Sequence, residues 1–284
     1  MSTHIFRQIR GALQNLNPRE VQQMADQPFT IGLLAEDEPG YHRMVQFLLP
    51  TGISEEKLRQ ASAHLLRIQT AADFEQCDLG LAEPHLEHPG RSFYGFDAAH
   101  PTAAVERCLE EREDLWIPLA RHFLPFRGPV IERLIRKISR ENALFALASA
   151  LPNIVPSFIE LPWAVGEFAS DIAVLTMNQI RMAFLIAAAS DAPVGFIDQR
   201  GQIASIITSA FGWRAIAREL VSKVPFGCGL IPKGAIAFAG TYVVGLGLER
   251  YLRLGSGFTA QEKREEYQEA LDRGRMVVRQ IVGS

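Results

Sequence analysis

The chain has 284 residues, 48% hydrophobic and 21% charged, a composition that excludes intrinsic disorder and leaves room for one large or two ordinary domains. A net charge of −3 and a pI near 6.2 give no electrostatic footprint for nucleic acid. The three cysteines, Cys77, Cys108 and Cys228, are far apart, with no C-x-x-C pair and no disulfide framework, so a reducing compartment is expected.

The N-terminal stretch "MSTHIFRQIRGAL" lacks the long apolar segment and small-residue cleavage site of a signal peptide. Residues 1–26 read as a helical lead-in, with Asn17 capping a short helix and Pro18 at its first position. "FTIGLL" then reads as a strand from Phe29 to Leu34, followed by the turn "AEDEPGYH" and a helix from about Gly40 to Leu49. "ISEEKLRQASAHLLRIQ" has the period of an amphipathic helix, with Ser54 as cap and Leu58, Ala61, Leu65 and Ile68 on one face. "CDLGLAE" reads as a second buried strand, "SFYGFD" as a third, and "TAAVERCLEERED" as a helix. This alternation predicts a small α/β unit with a mostly parallel sheet over residues 27–118.

From residue 119 the pattern is helical. Val130, Leu134, Ile135 and Ile138 recur at helix spacing, with Arg133, Arg136, Lys137 and Arg140 on other faces. A long helix is expected from Glu167 to Ser190, ended by Asp191-Ala192-Pro193, another from Gln202 to Val224, and a small-residue helix from Ala235 to Leu254. Thr259 and Glu262 form a capping box that opens a charged C-terminal helix over 259–284. The fold expected is thus a small α/β N-terminal part followed by an all-α module over 119–258, helix-dominated overall.

Charge drops sharply along the chain. Residues 1–142 carry 16 basic and 20 acidic side chains, whereas residues 143–258 carry 8 and 7. A spanning helix wants about 20 apolar residues in a row. Glu160, Glu167, Asp171, Arg181 and Lys233 interrupt the apolar segments here. The pattern leaves two readings open, a buried soluble bundle and shallow membrane-docking hairpins.

Three stretches invite a chemical reading. The strand, turn and helix around Ala35–His42 stand as a phosphate loop does, with Ala35 and Gly40 at the spacing of its two glycines. Tyr41 and His42 occupy the places of the Lys and Ser/Thr that such a loop needs, and Glu36, Asp37 and Glu38 add three negative charges. Each would repel a phosphate at 4 Å by roughly 1 to 4 kcal/mol. Triphosphate binding is therefore not expected, and a plain strand–turn–helix explains the pattern equally well. On the long helix, Glu167, Asp171, Asn178 and Arg181 fall within about 80° of one another, one polar stripe on an apolar helix. It reads as a register-fixing seam or as a functional polar surface. In "AEPHLEHPG", His85 and His88 stand beside Glu83 and Glu87, which reads as a solvated loop and not a metal site. There is no H-E-x-x-H, no G-x-S-x-G and no Cys/His pairing, so no cofactor, metal or catalytic residue is expected.

From Leu119 to Leu254 the chain resembles a bacterial helical module, the YcjF-type domain of unknown function 697. The resemblance rests on "LARHFLPFRGPVIERLI", "NALFALASALPNIVP", "VLTMNQIRMAFLIAAASDAP" and "GCGLIPKGAIAFAGTYVVG". It implies a module that commonly follows an Era-like GTPase domain and associates with the inner membrane. It further implies that residues 27–118 are a shortened, degenerate GTPase-like domain, although no N-K-x-D motif is present. The expectation that follows is a non-catalytic accessory or scaffold protein that binds no nucleotide and sits on the cytoplasmic side of the inner membrane. Its partners would be the membrane surface and another protein. The alternatives are a soluble cytoplasmic adaptor for an active GTPase, and an enzyme using the stripe on the long helix.

Overall fold

A computed structural model describes residues 16–88, 92–149, 171–207 and 230–283. They pack as two units. One comprises Gln22–Glu132 with Ala188–Ala192, and the other the described residues of Met1–Val21, Arg133–Ala187 and Pro193–Ser284.

The first unit is built on four parallel strands, β1 (Ile31–Leu34), β2 (Leu65–Arg67), β3 (Leu79–Ala82) and β4 (Phe93–Gly95), in the order β2-β1-β3-β4. Ile31 lies opposite both Leu65 and Leu79, and Gly80 opposite Phe93. Ile31, Leu33, Leu79 and Leu81 are buried, as a covered parallel sheet requires. Gly80 is needed there, because a Cβ on it would sit 2.0 Å from the Phe93 ring. Helix α1 (Pro18–Ala25) precedes the sheet, α2 (Glu38–Leu48) and α3 (Glu55–Ser62) connect β1 to β2, and α4 (Thr102–Glu111) and α5 (Trp116–His122) follow β4.

One expectation is corrected. The amphipathic helix anticipated over "ISEEKLRQASAHLLRIQ" stops at Ser62, and Leu65–Arg67 is strand β2. Ser54 does cap α3, accepting from the Lys57 N–H, but Leu58 is exposed. The period of 3.6 ran on by coincidence into residues that the parallel pairing with β1 claims instead. Strand β1 also begins at Ile31, two residues after Phe29, and α2 begins at Glu38, before Gly40.

The second unit is helical. Helix α6 (Leu124–Ala148) enters it, followed by α7 (Asp171–Ala189), a helical segment at 200–207, α8 (Leu230–Leu254) and α9 (Ala260–Gly283). Val130, Leu134, Ile135 and Ile138 of α6 are buried, as their spacing predicts. Helices α8 and α9 form an antiparallel hairpin. Gly255 (φ 73°) closes α8, and Thr259 and Glu262 make the predicted capping box, the Thr259 N–H donating to Glu262 Oε2 at 2.8 Å. The helices approach closely at small residues. A Cβ on Gly274 would meet the Ala235 carbonyl oxygen at 2.8 Å, and one on Gly245 would meet Ile135 Cγ1 at 2.7 Å.

Candidate functional site

In the order β2-β1-β3-β4 the chain moves one way from β1 and the other way from β3. The crevice that open α/β sheets use for ligands therefore lies at the C-terminal ends of these two strands. Ala35, Gly40, Tyr41 and His42 all stand there, between β1 and the first turns of α2.

The local sequence builds this turn by capping. Asp37 is the N-cap of α2, its Oδ1 accepting from the Gly40 N–H at 2.7 Å, and Pro39 sits in the first turn. Glu83, the residue after β3, donates its own N–H to the Leu34 carbonyl. Its carboxylate then reaches over the turn. Glu83 Oε2 accepts from the Glu36 N–H at 2.8 Å, and Oε1 takes the Arg43 guanidinium at 3.1 Å. A Cβ on Gly40 would come within 2.6 Å of Glu83 Oε1, so only glycine admits this carboxylate. The Glu36 and Gly40 amides are thus both taken by side-chain carboxylates of the chain itself.

Tyr41 and His42 make contacts of another kind than the Lys and Ser/Thr of a phosphate loop would. The Arg67 guanidinium lies 4.8 Å from the Tyr41 ring centroid and pairs with Glu38. His42 Nδ1 sits 2.8 Å from the Glu38 carbonyl oxygen. Across the turn, His85 Nε2 is 2.9 Å from Glu36 Oε2. Glu36, Glu83 and His85 each bring a donor atom within 4.8 Å of the others. These are donor types that a divalent cation accepts, but Arg43 already supplies positive charge to Glu83. The His88 ring stacks on Phe93, centroids 5.6 Å apart.

The stripe on α7 divides. Glu167 lies outside the described residues, and Asp171 opens α7 with a side chain also outside them. Asn178 is 1% exposed and points into the helical core, donating to Asn142 Oδ1 at 2.6 Å. Asn142 of α6 donates in turn to Thr241 Oγ1 of α8 at 2.8 Å and to the Leu175 carbonyl at 3.3 Å. Gln179 donates to the same Thr241 oxygen at 3.3 Å. Three helices are therefore tied by one buried amide–hydroxyl chain. Arg181 stands apart from it, 3.7 Å from Glu141, with burial drawing its pKa down.

Sequence reasoning missed a second cluster in the α/β unit. The His64 ring stacks on Phe29, centroids 4.3 Å apart, and lies 4.4 Å from the His122 ring. Burial, then the His64 and Arg121 charges, push His122 down to about 4. Beside it Asp191, in the left-handed region at φ 56°, accepts from Lys57 at 2.8 Å and Arg121 at 3.3 Å. Burial raises the Asp191 pKa, but these cations outweigh it and the net shift is downward. Arg121 also pairs with Asp26. Apart from the adjacent Arg121 and His122 of α5, the members come from distant parts of the chain, so no local spacing announced them.

Comparison of the chain with family models, with curated proteins and with solved structures finds no match.

Proposed function

We propose that this protein is a non-catalytic accessory or scaffold protein of the bacterial inner membrane, attached on the cytoplasmic side. Its α/β unit would be a GTPase-like domain that holds no nucleotide, and its helical unit a YcjF-type module that meets the membrane or the helices of a partner. The observation that carries the nucleotide-free reading is the occupied turn, where carboxylates of Asp37 and Glu83 take the Gly40 and Glu36 amides. Two amides of the turn are thereby already bonded and are not free to donate to phosphate oxygens. Calorimetry with GTP and with ATP is expected to show no binding, and micromolar affinity for either overturns the reading.

Membrane contact is supported by Ile231–Leu254, a helix long and apolar enough to cross a bilayer, with a mean hydropathy of 1.3. A specific observation favours the second reading, a soluble adaptor, because 61% of that apolar window is already buried inside the protein. Membrane fractionation with a carbonate wash separates the two. Recovery with membranes before the wash supports the first, and a wholly soluble protein with a defined protein partner supports the second. Asn178, which the enzyme alternative would use, is buried and spends its amide N–H on Asn142 of the neighbouring helix.

A further inference from the structure

A cleft of about 370 Å³ opens in the helical unit between residues 201–206, the C-terminal half of α8 and the α8–α9 turn. Its walls are apolar, formed by Ile206, Val243, Leu248 and Phe258. Gly247 lies on the same lining, and a Cβ there would be 3.6 Å from the Phe258 ring, an ordinary contact distance. The backbone therefore tolerates a side chain at 247, and glycine keeps the space empty. Among the described residues, Lys263 is the one charged group on this lining, with Gln202, Ser205 and Tyr251 as polar neighbours. The nearby Arg250 is engaged by Glu262 at 3.1 Å and by the Phe258 ring at 4.9 Å, whereas Lys263 has no carboxylate partner among the described residues.

An apolar slot with one unengaged ammonium at its edge selects an amphiphile with a negative head. The slot buries hydrocarbon, and the cation favours a carboxylate over a neutral hydroxyl. The volume is at the small end of the range of about 300–1,000 Å³ typical of small-molecule sites, which suits one chain and not two. We propose that this cleft binds a single-chain fatty acid, its chain along Val243, Leu248 and Phe258 and its carboxylate at Lys263. The site stands independently of the nucleotide-free turn, and Tyr251 at the C-terminal end of α8 also lines it.

The test is calorimetry on the full chain with lauric acid below its micelle concentration, and with dodecanol as the uncharged comparator. One lauric acid should bind per chain in a saturable manner, raising Tm, and dodecanol should bind roughly tenfold more weakly. Lys263→Gln should cost lauric acid about tenfold and leave dodecanol unchanged. Gly247→Leu should abolish both, in calorimetry on the protein in solution without liposomes, which reads this site apart from membrane attachment. Should Gly247→Leu unfold by circular dichroism, the exposed Lys263→Gln variant and the acid–alcohol comparison decide alone. Unsaturable partitioning of lauric acid, or equal binding by wild type and Lys263→Gln, overturns the proposal.

Discussion

At Glu83 one carboxylate satisfies the Glu36 amide and the Arg43 guanidinium and closes over Gly40. Glu83→Ala removes both partnerships and leaves the amide without its acceptor, at a cost of about 1 to 2 kcal/mol. Glu83→Gln keeps an acceptor and should cost less. The midpoints of urea denaturation order wild type above Glu83→Gln above Glu83→Ala, and three equal midpoints would refute the role assigned to the carboxylate. At His122 the effect is one of pH. Its folded pKa of about 4 lies below the usual 6.5, so the unfolded chain binds the proton more readily. Stability is therefore full above pH 6.5 and falls as pH drops from 6.5 toward 4. Because the ring is only half buried, solvent screening reduces the effect to on the order of 1 kcal/mol. Denaturation at a series of pH values reads the slope, and His122→Gln should flatten it. An unchanged slope in that variant would assign the pH dependence to other groups.

At the scale of elements, the Asn178–Asn142–Thr241 chain fixes how α6, α7 and α8 meet. Asn178→Ala strands the Asn142 carbonyl in an apolar core, costing about 1 to 3 kcal/mol. Replacing both asparagines by leucine removes the stranded groups together and should cost less than the two single changes combined, a non-additivity that a double-mutant cycle measures. Close approach is the other device. Gly274→Val forces a Cβ to within 2.8 Å of the Ala235 backbone, so α8 and α9 must separate, at about 1 to 3 kcal/mol. Some of this was legible in the sequence. Strands β1 and β3 announce themselves as short apolar runs between turn residues, whereas the expected polar stripe divides, Asn178 joining Asn142 and Arg181 facing Glu141. Strand β2 was hidden, because Leu65 and Ile68 also continue the helix period of α3. Asn142 and Thr241 were hidden for a different reason. Each is a single polar residue on its own apolar helix, and only packing of the helices makes them one network. The same holds for Glu83, whose reach to Glu36 follows from the parallel pairing of β1 with β3 and from nothing local.

At the scale of the whole molecule, the apolar surplus of residues 143–258 is partly absorbed inside the helical unit and partly left in water. Ala235, Phe238, Ala239, Tyr242 and Val243 of α8 are buried, while Tyr251 and Leu254 at its C-terminal end are 46% and 55% exposed. Arg250 and Arg253 on the same turns are neutralised by Glu262 at 3.1 Å and Glu249 at 2.6 Å, so the exposed feature of this end is apolar. An exposed aromatic ring and leucine at one helix end are what an interfacial contact with a bilayer uses, both entering the headgroup boundary. If the helical unit attaches through this end, Tyr251→Ser with Leu254→Ser removes apolar area worth on the order of 1 to 3 kcal/mol of membrane affinity. Flotation with vesicles of mixed anionic and zwitterionic phospholipid should then fall about tenfold or more, with Tm unchanged because neither side chain is in the core. Flotation that persists undiminished in the double variant would move the contact elsewhere, and a wild type that never floats would leave these two residues to a protein partner.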